Sequence, residues 1–164
     1  MLATLRDAVY GWATERLVRQ QGAAGLPAFL YIFDHCDAAA RARDLCAFHA
    51  AELPYVFGQV GPDWQLPAVW PRAEAEGDRA LSEAMMDYWV SFATDGVPRS
   101  PRGPVWSAYG RTEAYLRFAG VPVAGRDPYP GMFELQEDVV SRRRRAGEPW
   151  FLNVGVAATP LPAR

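Results

Sequence analysis

The segment 29–33, FLYIF, is an unbroken apolar run rich in aromatic residues, with Pro27 before it and the charge of Asp34 after it. A short continuous run of this kind is typical of a strand that is buried on both faces, as the interior strands of parallel sheets are. Such a strand needs a neighbour on each side. We therefore expect an α/β fold in which residues 29–33 form an interior parallel strand.

Three other segments space their apolar side chains by three and four residues, as amphipathic helices do. The first lies at the start of the chain and ends near Gly22 or Gly25, the second begins at Asp78, which can cap it, and the third covers residues 133–145. The side chains expected to face the core are Leu81, Met85, Tyr88, Trp89 and Phe92 of the second helix and Leu135, Val139 and Val140 of the third.

Only one further segment is clearly a strand. Residues 114–118, AYLRF, alternate like a half-exposed strand. A loop with at most a helical turn is expected at residues 34–48. A long surface loop is expected at residues 59–77, which contain three prolines and two tryptophans. An interior strand needs a neighbour on each side, and the chain offers only one other strand. We therefore expect an incomplete sheet whose other strands lie on a different stretch of polypeptide.

Composition excludes several classes of function. With 17 basic and 19 acidic residues the net charge is −2, which argues against an electrostatic nucleic-acid binder. All the basic residues are arginine, so Schiff-base chemistry and a P-loop, which need lysine, are excluded. Two cysteines and two histidines allow no more than a minimal structural zinc site. We expect neither a metal nor an organic cofactor.

Targeting signals are not expected in this chain. A membrane-spanning helix needs about 20 apolar residues in succession, and the longest uncharged stretch, 149–163, is interrupted by prolines, a glycine and an asparagine. The first segment carries Arg6 and Asp7 too early for a signal peptide and has no small-residue cleavage site. The default expectation is a cytoplasmic protein without a membrane span.

His49 is the residue that the sequence singles out for chemistry. It follows the predicted buried strand and lies directly before a predicted short helix. In open α/β sheets chemistry gathers at the carboxyl ends of the strands, and an imidazole titrates near neutrality with two usable nitrogens. The alternative is a histidine that is hydrogen-bonded in a packed loop, which its position alone favours.

Three strings around His49 carry a resemblance to a known family. They are YIFDH at 31–35, FHAAELPYVFG at 48–58 and LSEAMMDYWVSFATDGVP at 81–98. Together they resemble the C-terminal part of the type-B carboxylesterases, which include cholinesterases and bacterial para-nitrobenzyl esterases. The resemblance covers about residues 2–118, with Trp106 and Tyr109 resembling the family's tryptophan and tyrosine ahead of the last strand.

The resemblance implies a single partial domain over residues 1–164, the C-terminal part of an α/β-hydrolase fold. It implies that His49 is the base of a catalytic triad and that Ala50 replaces the family's usual glycine. By the same resemblance Glu52 belongs to a buried hydrogen-bond network behind the site. A first-turn carboxylate placed for the helix dipole is the compatible alternative for Glu52.

The resemblance also implies three features that this sequence does not display. A serine esterase needs a nucleophile on a G-x-S-x-G elbow, an acid and a glycine-rich oxyanion segment, and the family places them earlier in the chain than the histidine. None of the five serines here is flanked by glycines, so these features are expected outside the 164 residues and the chain alone is expected to be inactive.

Several roles for such a chain remain open. The main interpretation is a carboxylic-ester hydrolase fragment that acts on a small-molecule ester when completed. The alternatives are a subunit that completes a split esterase with an N-terminal half, a non-catalytic binding or interaction module derived from the fold, and a truncated gene product without a function.

The remaining chemical candidates are weaker. Cys36 and Cys46 could close a short disulfide loop, but the resemblance supplies no pairing for them, and two reduced thiols are expected. His35, beside Cys36, is expected to be a surface-loop histidine without a catalytic or metal-binding role.

Overall fold

The computed structural model of the protein describes residues 7–147, except 66, 68, 69 and 72–75. These residues fall into two compact units. The first unit draws on Met1–Leu30, Ala108–Ala114 and Arg126–Arg164, and the second on Tyr31–Ser107 and Tyr115–Gly125. The single partial domain expected over 1–164 stays a prediction.

The first unit is built on two helices. A π-helical turn, Asp7–Gly11, leads into α1, Trp12–Ala23, and the second helix is Met132–Ala146, which we call α5. Both helices agree with the predicted segments. Trp12 of α1 packs with Phe133 and Val140 of α5 in a small buried cluster.

The inward face of α5 differs from the prediction. Leu135 is 51% exposed, whereas Phe133, Gln136 and Val140 are buried. These three residues are spaced by three and four, so they define the buried stripe of the helix and turn Leu135 towards solvent. The pattern of apolar residues did not predict which face of α5 is buried, because the middle residue of the buried stripe is a glutamine.

A three-stranded mixed sheet has its strands in the order β1–β2–β3, with β1 at Leu30–Phe33, β2 at Ala114–Ala119 and β3 at Val121–Arg126. Gly120 alone joins β2 to β3, with a φ of 92° that glycine adopts readily. The predicted strand at 114–118 is confirmed. β3 was not predicted, because Pro122 and Gly125 break its pattern, and proline is tolerated on the outermost strand of a sheet.

The strand predicted at 29–33 is confirmed as β1. The Asp34 amide donates to the Phe118 carbonyl oxygen at 2.9 Å, and β1 is outermost among the described strands, as an incomplete sheet requires. The interior position of β1, with a neighbour from another stretch of polypeptide, stays a prediction. Only Leu30 is buried, and the other three residues of β1 are half-buried. Within the part of the chain that the structure describes, no strand lies beyond β1.

A 3₁₀-helix, Gly110–Thr112, lies in the first unit, and the other α-helices belong to the second unit. They are α2, Ala38–Ala42, α3, Leu53–Val56, and the long α4, Glu76–Asp95. The short α3 packs against α4. None of the described helices has the combination of length and apolar character that crossing a membrane requires.

The buried stripe of α4 differs from the prediction at its end. Leu81, Met85 and Tyr88 are buried as predicted, but Phe92 is 49% exposed. One residue earlier, the half-buried Ser91 accepts a hydrogen bond from the Arg99 amide at 2.7 Å. The last turn of α4 is therefore attached to the following loop by a polar contact, and the buried stripe ends at Tyr88.

An aromatic cluster forms the core next to the sheet. Its rings pack edge to face or tilted, with centroids 5.1–6.1 Å apart, a geometry that adds stability beyond area burial. Its members are Tyr31, Tyr88, Trp89, Trp106 and Phe118. Burial raises the pKa of Tyr88 to about 12, with a further contribution from the charge of Asp87.

Candidate active site

The segment between β1 and α3 carries both histidines, both cysteines and Glu52. It contains the one helical turn that was expected, α2. The side chain of Asp37 caps this helix by accepting a hydrogen bond from the Ala40 amide at 2.9 Å. Two further turns, around Cys46 and His49, follow before α3 begins.

His49 is exposed and lies in the turn directly before α3. The next residue, Ala50, has a φ of 70°, in the left-handed region that favours glycine. The glycine that the family usually carries here is therefore explained by backbone conformation. An alanine in this conformation costs about 1–2 kcal/mol.

Cys36 and Cys46 form a disulfide, so the expectation of two reduced thiols is wrong. Their Cα atoms lie 4.7 Å apart, a separation that a disulfide can span. The intervening chain returns on itself through α2 and through Asp44, a non-glycine residue in the left-handed conformation. Ala47, directly after Cys46, has the same conformation. The bond ties Cys46, three residues before His49, to Cys36.

His35 is not a surface-loop histidine as expected. Its side chain is only 12% exposed, and Nε2 lies 2.6 Å from Oδ1 of Asp78, whose side chain is 6% exposed. Its ring also packs edge to face against those of Phe33 and Tyr55. Asp78 lies inside α4, which begins at Glu76, and so it does not cap the helix as predicted.

Asp78 also lies close to α3. The Tyr55 hydroxyl is 3.5 Å from Asp78 Oδ1, and the Ser82 hydroxyl donates to the Tyr55 carbonyl oxygen at 2.7 Å. Burial raises the pKa of Tyr55, and the charge of Asp78 raises it further. One buried carboxylate therefore faces both His35 and the helix that follows His49.

Glu52 occupies the position just before α3 and is half-buried. Its side chain makes no capping hydrogen bond to the helix. Burial first and then the charge of Glu52 raise the pKa of Tyr31, a member of the aromatic cluster. Its membership in a hydrogen-bond network behind the site stays a prediction.

Four of the five serines have hydrogen-bond partners, one of them Ser141, which accepts from Arg145 Nη1 at 2.9 Å. Ser82 bonds the Tyr55 carbonyl, Ser91 bonds carbonyl oxygens that include that of Asp87, and Ser100 donates to Asp87 Oδ2 at 2.9 Å. Hydroxyls engaged in this way stabilise loops and helix packing. Among the described residues there is also no group of three histidine, cysteine or acidic side chains that could hold a metal ion.

Comparison with known proteins places these residues in a family. The carboxylesterase family model matches residues 1–127. Carboxylesterase 5A of Felis catus is 33% identical over 120 residues, covering 71% of this chain and 21% of that protein. The pyrethroid hydrolase Ces2e of Rattus norvegicus is 35% identical over 103 residues, covering 61% of this chain and 17% of that protein.

The fold comparison agrees. The Geobacillus stearothermophilus carboxylesterase EST55, solved at pH 6.2, matches with a TM-score of 0.58 and 28% identity, covering 74% of this chain and 24% of that one. Such neighbours are α/β-hydrolase esterases, which confirms the expected partial α/β fold. The chain spans about a fifth of the length of the curated relatives that it matches. By the extent of the family match, the chain belongs to the carboxylesterase family.

Proposed function

We propose that this chain carries the catalytic base of a carboxylic-ester hydrolase and that the base is His49. The observation that supports this most is the exposure of His49 in a turn of the family-matched region, because a general base must present a nitrogen to the group that it deprotonates. The serine nucleophile, the acid and the oxyanion donors are proposed to lie outside these 164 residues.

In the completed enzyme, His49 accepts the serine proton while the serine oxygen attacks the ester carbonyl. The tetrahedral intermediate then collapses, the carbon–oxygen bond to the alcohol breaks, and His49 returns the proton to the departing alcohol. Water hydrolyses the acyl-enzyme by the same route, with His49 again the base. Neither step calls for a metal or an organic cofactor.

The proposed substrate is a small-molecule carboxylic ester. The family membership supports this class, and one relative, from rat, is named a pyrethroid hydrolase. Glu52, half-buried three residues after His49, is proposed to support the site from behind.

The test compares this chain alone with a completed enzyme. The chain replaces the matching 24% of the Geobacillus carboxylesterase, and both proteins are assayed with a para-nitrophenyl acyl ester and with a serine-directed organophosphate. The chimera is expected to turn over and to be labelled covalently. The chain alone is expected to gain at most the 10²–10⁴-fold that a general base provides, and to form no adduct. Rapid turnover with an adduct on the chain alone would overturn the proposal.

A further inference from the structure

We propose that Asp78 and His35 form a positioning pair that fixes segment 46–55 and with it the imidazole of His49. The inference rests on the proposed role of His49 as the base. Neither Asp78 nor His35 is proposed to touch the substrate, so both act through the backbone that carries His49.

Two arms connect the pair to His49. The first arm begins where His35 Nε2 lies 2.6 Å from Asp78 Oδ1. The residue after His35 is Cys36, and its disulfide connects it to Cys46. Cys46 lies three residues before His49. In the second, Asp78 Oδ1 lies 3.5 Å from the hydroxyl of Tyr55, six residues after His49. The exposed base is therefore held between two attachments that meet at one carboxylate.

The segment needs such attachments because its backbone is in unfavourable conformations. Within the segment, Ala47 and Ala50 have φ values of 46° and 70°, and Asp44, two residues before it, has a φ of 54°. Non-glycine residues in this region cost on the order of 1–3 kcal/mol each and persist only where the surrounding structure determines them. An exposed side chain such as His49 contributes little packing that could do so.

Asp78 is well placed to be the fixed point. It lies in the first turn of α4, a helix of 20 residues, where the helix dipole favours a negative charge. The Ser82 hydroxyl, one turn further along α4, holds the Tyr55 carbonyl oxygen at 2.7 Å and so fastens α3 to the same helix. A base that moves by about 1 Å from its productive position loses about 100-fold in rate, so these attachments matter for catalysis.

The kinetic test uses the completed enzyme with Asp78→Ala, Asp78→Asn and, as a control on the same helix, Asp87→Ala. Asp78→Ala is expected to lower kcat by about 10- to 100-fold with little change in KM. Asp78→Asn keeps a hydrogen-bond acceptor for His35 and is expected to recover most of that loss. Asp87, which pairs with Arg102 at 2.7 Å at the surface, is expected to be replaceable without loss.

A kcat for Asp78→Ala within twofold of the parent would overturn the proposal, as would equal losses for alanine and asparagine. If Asp78→Ala does not fold, His35→Gln is measured instead. It is then expected to lower kcat by about 10- to 100-fold, and a kcat within twofold of the parent would overturn the proposal. Loss of activity on His49→Ala but not on the Asp78 variants would overturn the positioning pair and leave the proposed function standing.

A second measurement uses the chain alone and does not depend on esterase activity. The sequence has only two histidines, so imidazole NMR resolves His35 and His49 directly. Asp78→Ala is expected to shift or split the His49 resonances, and Asp78→Asn and Asp87→Ala are expected to leave them in place. Unchanged His49 resonances in folded Asp78→Ala would overturn the proposal.

Discussion

The hydroxyl of Tyr109 lies 2.5 Å from Oε1 of Glu15, a carboxylate that is 3% exposed inside the first unit. Arg19 donates to the same oxygen from Nε at 3.2 Å and from Nη2 at 2.6 Å. The Arg19 guanidinium also lies over the ring of Phe133, 4.0 Å from its centroid. The buried charge of Glu15 is therefore both paired and hydrogen-bonded.

Removal of Arg19 leaves that buried carboxylate without its cation. We expect Arg19→Ala to lower the free energy of unfolding by about 3–5 kcal/mol, the usual effect of breaking a buried ion pair. Arg99→Ala, which breaks the exposed pair with Asp95 in α4, is the matched control and is expected to change it by about 0–1 kcal/mol. Urea unfolding measures both, and equal effects would contradict this description of the network.

Replacement of Ala50 by glycine should stabilise the protein. Glycine adopts the φ of 70° without the Cβ penalty, although it loses more entropy on folding, so the net gain is expected to be about 0.5–1 kcal/mol. Ala80→Gly, at an exposed position inside α4, is the control and is expected to lose about the same amount. A loss of stability in Ala50→Gly would show that the turn is not strained there.

Several tyrosines are expected to have raised pKa values in the folded protein, so the free energy of unfolding is expected to fall at high pH. Burial raises the pKa of Tyr88 to about 12, and burial raises the pKa of Tyr55 and Tyr109, helped by Asp78 and Glu15 respectively. The unfolded chain releases these protons near pH 10, so the folded state is the one that binds more protons above that pH.

The contribution of these tyrosines is therefore fully present below about pH 10. That of Tyr88 is lost as the pH rises through about 12, and those of Tyr55 and Tyr109 are lost at higher pH. Absorbance titration of the phenolates and urea unfolding at about pH 9 and about pH 11 measure it. Tyr88→Phe should make the loss smaller. Ionisation of all tyrosines together near pH 10 in the folded protein would contradict the buried environments.

The disulfide is expected to stabilise the second unit. A loop of about ten residues closed by Cys36 and Cys46 removes unfolded-chain entropy worth about 2–3 kcal/mol. The double variant Cys36→Ser, Cys46→Ser should unfold at correspondingly lower urea concentration, and thiol labelling of the native oxidised protein should find no free thiol. Labelling of both cysteines without reductant would refute the pairing.

The sequence predicts regular elements well where periodicity is strong. The helices around Trp12 and Leu81 and the strand at 114–118 follow from apolar spacing, which is a local property. Phe92 was misplaced because the buried face of α4 ends at Tyr88 and the last turn is instead attached to the loop through Ser91, which accepts from the Arg99 amide. A hydrogen bond to a residue outside the helix leaves no periodic signal in the sequence.

The surroundings of His49 were harder to predict. Asp78 was predicted to cap a helix because it stands directly before the amphipathic pattern of α4. In the structure its partner is His35, 43 residues away in the sequence. The loop closed by Cys36 and Cys46 contains α2 and the left-handed residue Asp44, and the local sequence does not show that this path brings the two cysteines together. Contacts between distant segments, rather than propensities, decide this part of the molecule.

The most direct test of the central claim is chemical rescue of the completed enzyme. His49→Ala is expected to lose at least about 10⁴-fold in kcat, because the members of a triad act as a unit. Added imidazole should restore part of that rate by taking the place of the missing side chain, and it should not restore the rate of His35→Gln. Full activity in His49→Ala, or rescue of His35→Gln and not of His49→Ala, would contradict the assignment of His49 as the base.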